Sequence, residues 1–234
     1  MRFAACLILL STAATPASAE WFADLYGGIS HTPRSDLTFV IRPGGRSSDH
    51  TFRDVKWNPS VVYGARAGYW FEAAPWYGVA LDVFHFSANI PTQTESSTIV
   101  GASGPATLGA IDISVTVIAL DLARLRYRLM ADSAYPKGRL QPYVSAGPAL
   151  FRIKATNKGN GELTTQPGTD SAMGYKVGAG LSWQLTKAAA LFGEYRYTHV
   201  RAEPVLDSSL SSLRVPLQFD LDTHHLVAGA SFSF

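Results

Sequence analysis

From Tyr175 to Leu185 the odd positions are Tyr, Val, Ala, Leu, Trp and Leu, and the even positions hold Lys176, Gly178, Gly180, Ser182 and Gln184. Only an extended strand turns a period of two into two faces. After a short turn at Thr186–Ala189 the pattern resumes, with Leu191, Gly193, Tyr195 and Tyr197 against Phe192, Glu194, Arg196 and Thr198. A soluble sandwich would turn its apolar face inward. Here the other face is small or charged, which suits a narrow barrel whose apolar outside touches lipid.

Composition supports the same class. Of 234 residues 47% are hydrophobic and 16% charged, against about 25% charged in ordinary domains. No run reaches the roughly 18 apolar residues of a membrane helix. A bilayer admits only helices or closed barrels, because every backbone polar group needs a partner there. A membrane reading of this chain is therefore a barrel. A net charge of +2 gives no basis for nucleic-acid binding.

The first residues read as a targeting segment. Arg2 provides a positive start, Phe3 to Leu10 an apolar stretch, and Ala17-Ser18-Ala19 a cleavage site before Glu20. This predicts a cleaved signal peptide at residues 1–19 and one barrel domain at residues 20–234, delivered to the outer membrane. Cys6, the single cysteine, lies inside the peptide, so the mature chain should carry no thiol, which suits an oxidising periplasm.

Eight strands follow: Trp21–Ser30, Val61–Phe71, Trp76–Phe86, Ile111–Leu129, Leu140–Ile153, the two of the hairpin above, and Leu217–Phe234. The connections alternate long and short, as expected of an eight-stranded antiparallel up-and-down transmembrane β-barrel with short periplasmic turns and long outer loops. Both termini then lie on the periplasmic side. In the first long segment Pro33, Pro43, Gly44 and Gly45 argue against regular structure. Trp21, Trp70, Trp76 and Trp183 fall near the short turns, where an aromatic girdle belongs.

Four stretches carry a resemblance to a known family: Tyr143-Val144-Ser145-Ala146-Gly147, Gly178-Ala179-Gly180-Leu181, Glu194-Tyr195-Arg196-Tyr197 and the closing Gly229-Ala230-Ser231-Phe232-Ser233-Phe234. With them the chain resembles the small outer-membrane barrels of the OmpA-like and opacity type over nearly its whole mature length. The resemblance implies that Phe234 and Phe232, with Ala230, Ala228 and Leu226 before them, form the signal read by the barrel-assembly machinery. Val227 stands where that signal usually has a polar residue.

The fourth strand resists a single phase. Ile113, Val115 and Val117 imply that odd positions face lipid, yet Asp121 shares their phase, while Arg124, Arg126 and Arg128 want the lumen or the interface. A bulge near Ile118–Leu120 would turn Asp121 inward and the arginines outward. Elsewhere the inward positions are clear: Arg66, Asp82, Lys176, Glu194 and Arg196. Eight strands leave room only for side chains, so these charges must pair as a structural network. The same charges admit the alternative of an ion path.

The first long loop mixes Arg34, Arg42, Arg46, Arg53 and Lys56 with Asp36, Asp49 and Asp54. A solvated loop or a surface touching lipopolysaccharide phosphates both fit. His199, Asp222 and His224 lie near a Ser-rich stretch, Ser208–Ser212, the one arrangement of hydrolytic type, although no His-x-Ser spacing accompanies His199. His31, His50, His85 and His225 show no metal-ligand spacing. No cofactor or metal is implied, and the chain reads as a non-enzyme. The reading is a structural or surface-interaction protein whose partners are outer-membrane lipid, lipopolysaccharide, the assembly machinery and a host or surface ligand at the loops. A narrow channel for small or hydrophobic solutes is the alternative, and a lipid-A hydrolase the third.

Overall fold

The computed structural model describes residues 20–41, 48–99, 102–158, 168–207 and 214–234, so the predicted signal peptide and Ser208–Ser212 lie outside it. Its thirteen strands are β1 (Glu20–His31), β2 (Ser35–Ile41), β3 (Ser48–Val55), β4 (Ser60–Trp70), β5 (Tyr77–Ser87), β6 (Gln93–Ile99), β7 (Ala102–Leu108), β8 (Ile111–Arg126), β9 (Leu140–Asn157), β10 (Gly168–Gln184), β11 (Ala189–Ala202), β12 (Val205–Asp207) and β13 (Arg214–Ser233). Eight of them, β1-β4-β5-β8-β9-β10-β11-β13, pair antiparallel in a ring that β1 and β13 close from Phe22↔Ser233 to His31↔His224. The eight-stranded antiparallel barrel is as expected.

Among the described residues the first two long connections form strands, which corrects the expectation of irregular structure drawn for the first from Pro33; Pro43, Gly44 and Gly45 lie outside the described residues. Pro33 interrupts the chain for three residues, Thr32–Arg34, and β2 then pairs beside β13 through Leu37↔Phe219 to Phe39↔Leu217. The sheet continues β13-β2-β3-β6-β7, and β7 has no second neighbour among the described residues. Leu37, Phe52, Val55 and Trp57 on this extension are buried in the same apolar cluster as Phe86, Ile113, Ile153 and Leu217 of the barrel. Burial of those side chains, each contributing about 1.5–3 kcal/mol, outweighs the local turn signals.

In β8 the sequence phase is overturned. Ile113, Val115 and Val117 are fully buried inside the barrel, and Asp112, Ser114 and Thr116 face outward. At this height the wall is patterned like a soluble barrel, polar outside and apolar inside. Below it, from Ile118, the outside turns apolar. Asp121 keeps the inward phase, and one extra β8 residue follows. Ala119↔Ala149 is succeeded by Ala123↔Ala146 on one side, and Asp121↔Ala80 by Arg124↔Gly78 on the other. This bulge lies after the position considered from sequence, and brings Asp121, Arg124 and Arg126 all inside. Pro148, which cannot donate to a sheet ladder, sits opposite it, where a proline is tolerated in a central strand. A Cβ on neighbouring Gly147 would lie 1.8 Å from the Leu120 carbonyl oxygen, so the close approach needs glycine.

The inverted phase has a direct test. A nitroxide at Ile118→Cys should relax strongly with oxygen dissolved in the bilayer, whereas one at Val117→Cys should be immobile and shielded. Equal oxygen accessibility at the two positions would refute this phase.

Candidate functional site

The lumen is built in layers. At its short-turn end Arg126 donates to Glu20 at 2.6 Å, with Lys137 Nζ 3.5 Å from the same carboxylate. The Arg126 guanidinium lies 4.1 Å over the Trp70 ring. Trp70 therefore faces inward and is not part of a girdle, whereas Trp21, Trp76 and Trp183 are exposed on the outside as expected. Arg124 comes next, held over Tyr143 at 4.4 Å and Phe22 at 5.1 Å.

The central layer joins all five charges expected from sequence. Arg66 Nη2 donates to both Glu194 oxygens at 2.9 and 2.8 Å, Nε to Asp82 at 3.2 Å and Nη1 to Asp24 at 3.3 Å. Arg196 donates to Glu194 through Nε and Nη2, at 2.9 and 2.8 Å. Lys176 Nζ donates to Asp82 at 2.6 Å and stands 2.7 Å from Asp121. Tyr143 donates to Glu194 at 2.9 Å, and Tyr26 to Asp82.

Sequence reasoning missed Asp24 and left Asp121 and Arg124 unplaced. With them the layer holds Asp24, Asp82, Asp121 and Glu194 against Arg66, Arg124, Lys176 and Arg196, so its charges balance. Neutrality matters because an unpaired buried charge costs several kcal/mol. The missing signal for Asp24 was its company: its inward neighbours Phe22 and Tyr26 are aromatic and mask the alternation.

His225 caps the polar layer. Its Nδ1 is 2.7 Å from Ser30 Oγ and its Nε2 3.0 Å from Thr198 Oγ1, and its ring meets Phe84 and Phe86 edge-on. Beyond it Thr32 and Thr223 pair at 3.0 Å, and the rest of the interior is mostly apolar, with Val117, Val115, Phe151, Ile153, Leu217 and Leu221 buried.

Outside the lumen, His199 and Asp222 do come together, with Nδ1 to Oδ1 at 2.7 Å, and Tyr197 donates to the same carboxylate. His224 Nδ1 is 2.6 Å from the Tyr195 hydroxyl. These groups are on the outer wall. Among the described residues no group of three or more His, Cys, Asp or Glu is arranged to hold a metal. Arg34 pairs with Asp54 at 2.9 Å on the extension, while Arg42 and Arg46 lie outside the described residues. Phe232 and Phe234 are exposed on the outward face of the closing strand.

A closed antiparallel barrel with an apolar outer wall and a balanced charged interior defines a transmembrane β-barrel of the outer-membrane class. The chain belongs to the outer membrane protein beta-barrel domain family, whose model matches residues 3–234. Its structure is similar to that of OprG from Pseudomonas aeruginosa, with a TM-score of 0.59 at 13% identity, covering 93% of this chain and 97% of that one. Neisserial surface protein A gives 0.45 at 14% identity, covering 92% and 97%. The protease OmpT from Escherichia coli gives 0.49 at 11% identity, covering 96% and 99%. At such identities the likeness to OprG shows the fold alone. No curated protein matches the sequence. The protein is an outer-membrane protein.

Proposed function

We propose that this barrel is a closed-lumen protein acting non-catalytically at the cell surface, in a structural or surface-interaction role, through the outward sheet β2-β3-β6-β7 and the loops around it. The observation that carries this reading is the interior. A neutral layer of fully buried ion pairs is capped by a packed apolar layer, so the barrel's differentiated surface is outside. There Thr38, Thr51, Thr98 and Ser103 fall in one row across four strands, with hydroxyls 3.0 Å apart at Thr38–Thr51 and 3.1 Å at Thr98–Ser103. Such a row is a flat hydrogen-bonding face for a surface ligand or for lipopolysaccharide sugars. Phe232 and Phe234 fit the role of an assembly signal for the barrel-assembly machinery.

The test replaces residues 93–108, the β6–β7 hairpin, with a short turn. The barrel should still assemble, shown by different gel migration of boiled and unboiled samples, while surface binding and envelope integrity fall. Unchanged binding and integrity would overturn the reading. A second reading, passage of small hydrophobic solutes, is favoured by the apolar upper interior. Faster uptake of such solutes by cells carrying the protein would support it.

A further inference from the structure

The outer wall changes from apolar to polar at a readable height. On β8 the change is Ile118 to Thr116, on β9 Leu150 to Arg152, and on β13 Leu226 to His224. On β4, β5 and β8 the change is marked by a small group, with the Tyr63 ring 5.5 Å from His85 and His85 Nδ1 3.1 Å from Thr116 Oγ1. On β10, β11 and β13 it is filled by a connected group. Register places Tyr175 beside His199 and His199 beside Asp222, and Tyr197 beside His224. The Tyr175 ring lies 5.3 Å from His199 and 6.1 Å from Tyr197, and His224 stacks at 28° on Tyr195. Asp222 accepts from Tyr197 and holds His199, and its side chain remains 41% exposed.

A general interfacial girdle needs only amphipathic rings. A carboxylate on a lipid-facing wall adds cost and is not explained by anchoring. Rings that offer flat apolar faces, interleaved with a carboxylate and two imidazoles that exchange hydrogen bonds, match a different requirement. A sugar presents C–H faces to rings and hydroxyls to such groups. Further out, Arg152, Lys154 and Arg201 are exposed and complement phosphate on such a headgroup.

We infer that Tyr175, Tyr195, Tyr197, His199, Asp222 and His224 form an outer-wall binding site for the sugar headgroup of an outer-leaflet glycolipid, whose acyl chains lie along the apolar wall below at Val177, Leu191 and Leu226. The site is independent of the loops and of any ligand they hold.

The probe is deep-rough lipopolysaccharide mixed with phosphatidylethanolamine and phosphatidylglycerol in nanodiscs holding the mature barrel. Lipid retained on gentle release is counted by native mass spectrometry. The native protein should retain the glycolipid over phospholipid by about tenfold or more, and Tyr175→Leu/Asp222→Asn should reduce that preference to near unity. Tyr197→Phe, which removes only a hydroxyl, should weaken it less. All these side chains point outward, so heat-modifiable migration should persist and report that the variants fold. No preference in the native protein, or full preference in the double variant, would overturn the inference. So would acyl release from the probe, because the His199–Asp222 pair would then be catalytic.

Discussion

Replacing Asp82 with leucine is expected to destabilise the barrel by about 3–5 kcal/mol, read from denaturant unfolding in phospholipid vesicles. The carboxylate accepts from Lys176, Arg66 and Tyr26 and lies 3.2 Å from Arg196. Its loss leaves three cations with one fewer anion inside a wall that admits little water. Removing Lys176 as well, as Asp82→Leu/Lys176→Met, restores the charge balance and should recover much of the loss. That recovery separates charge imbalance from a packing defect, since the double variant changes more volume than the single one. A single-variant loss under about 1 kcal/mol would mean that the pairs are solvated and the layer is not closed.

Planar-bilayer recordings of the purified barrel are expected to show no large steady conductance. An ion entering from the short-turn end meets charges already paired with one another, then His225 and the Thr32–Thr223 pair, then buried Val117, Phe151, Ile153 and Leu217, which offer nothing to replace its hydration shell. Moving a bare ion into such surroundings costs several kcal/mol even after relaxation. Substituting Phe86 and Phe151 with serine should admit brief, small openings by letting water into that layer. Reproducible porin-sized currents from the native protein would defeat the closed lumen and promote the channel reading.

The ring of eight strands was legible because a barrel wall in lipid shows strict alternation, as in Tyr175–Leu185 and Phe192–Thr198. So were Arg66, Asp82, Lys176, Glu194 and Arg196, since a charge between lipid-facing neighbours has only one place to go. What stayed hidden depended on contacts distant in sequence. Ile113, Val115 and Val117 read as lipid-facing because a run of β-branched residues looks the same against acyl chains as against an apolar interior. What decides between the two is the interior they share with the extension, whose Leu37, Phe52 and Trp57 belong to the same buried cluster. Asp121 and the arginines of β8 pointed to a bulge, but its position is set by its neighbours, Gly147 and Pro148 on one side and Gly78 and Ala80 on the other. On the outer wall His199, Asp222 and His224 were visible as residues, but their joining with Tyr175 and Tyr197 needs the register of three strands.

Among the described residues the extension sheet ends at β7, which has no second neighbouring strand there. In a densely populated membrane, neighbouring copies drift past one another with such edges at the same height, and each offers a template on which strands can add end over end. The sequence of that strand, Ala-Ser-Gly-Pro-Ala-Thr-Leu, resists this. Pro105 at its middle has no N–H to give, Gly104 brings no side chain to grip a partner, and the flanking residues are small. Among the described residues, the strand that ends the extension sheet is therefore a poor template for a neighbouring copy, and the barrels can crowd side by side and stay separate.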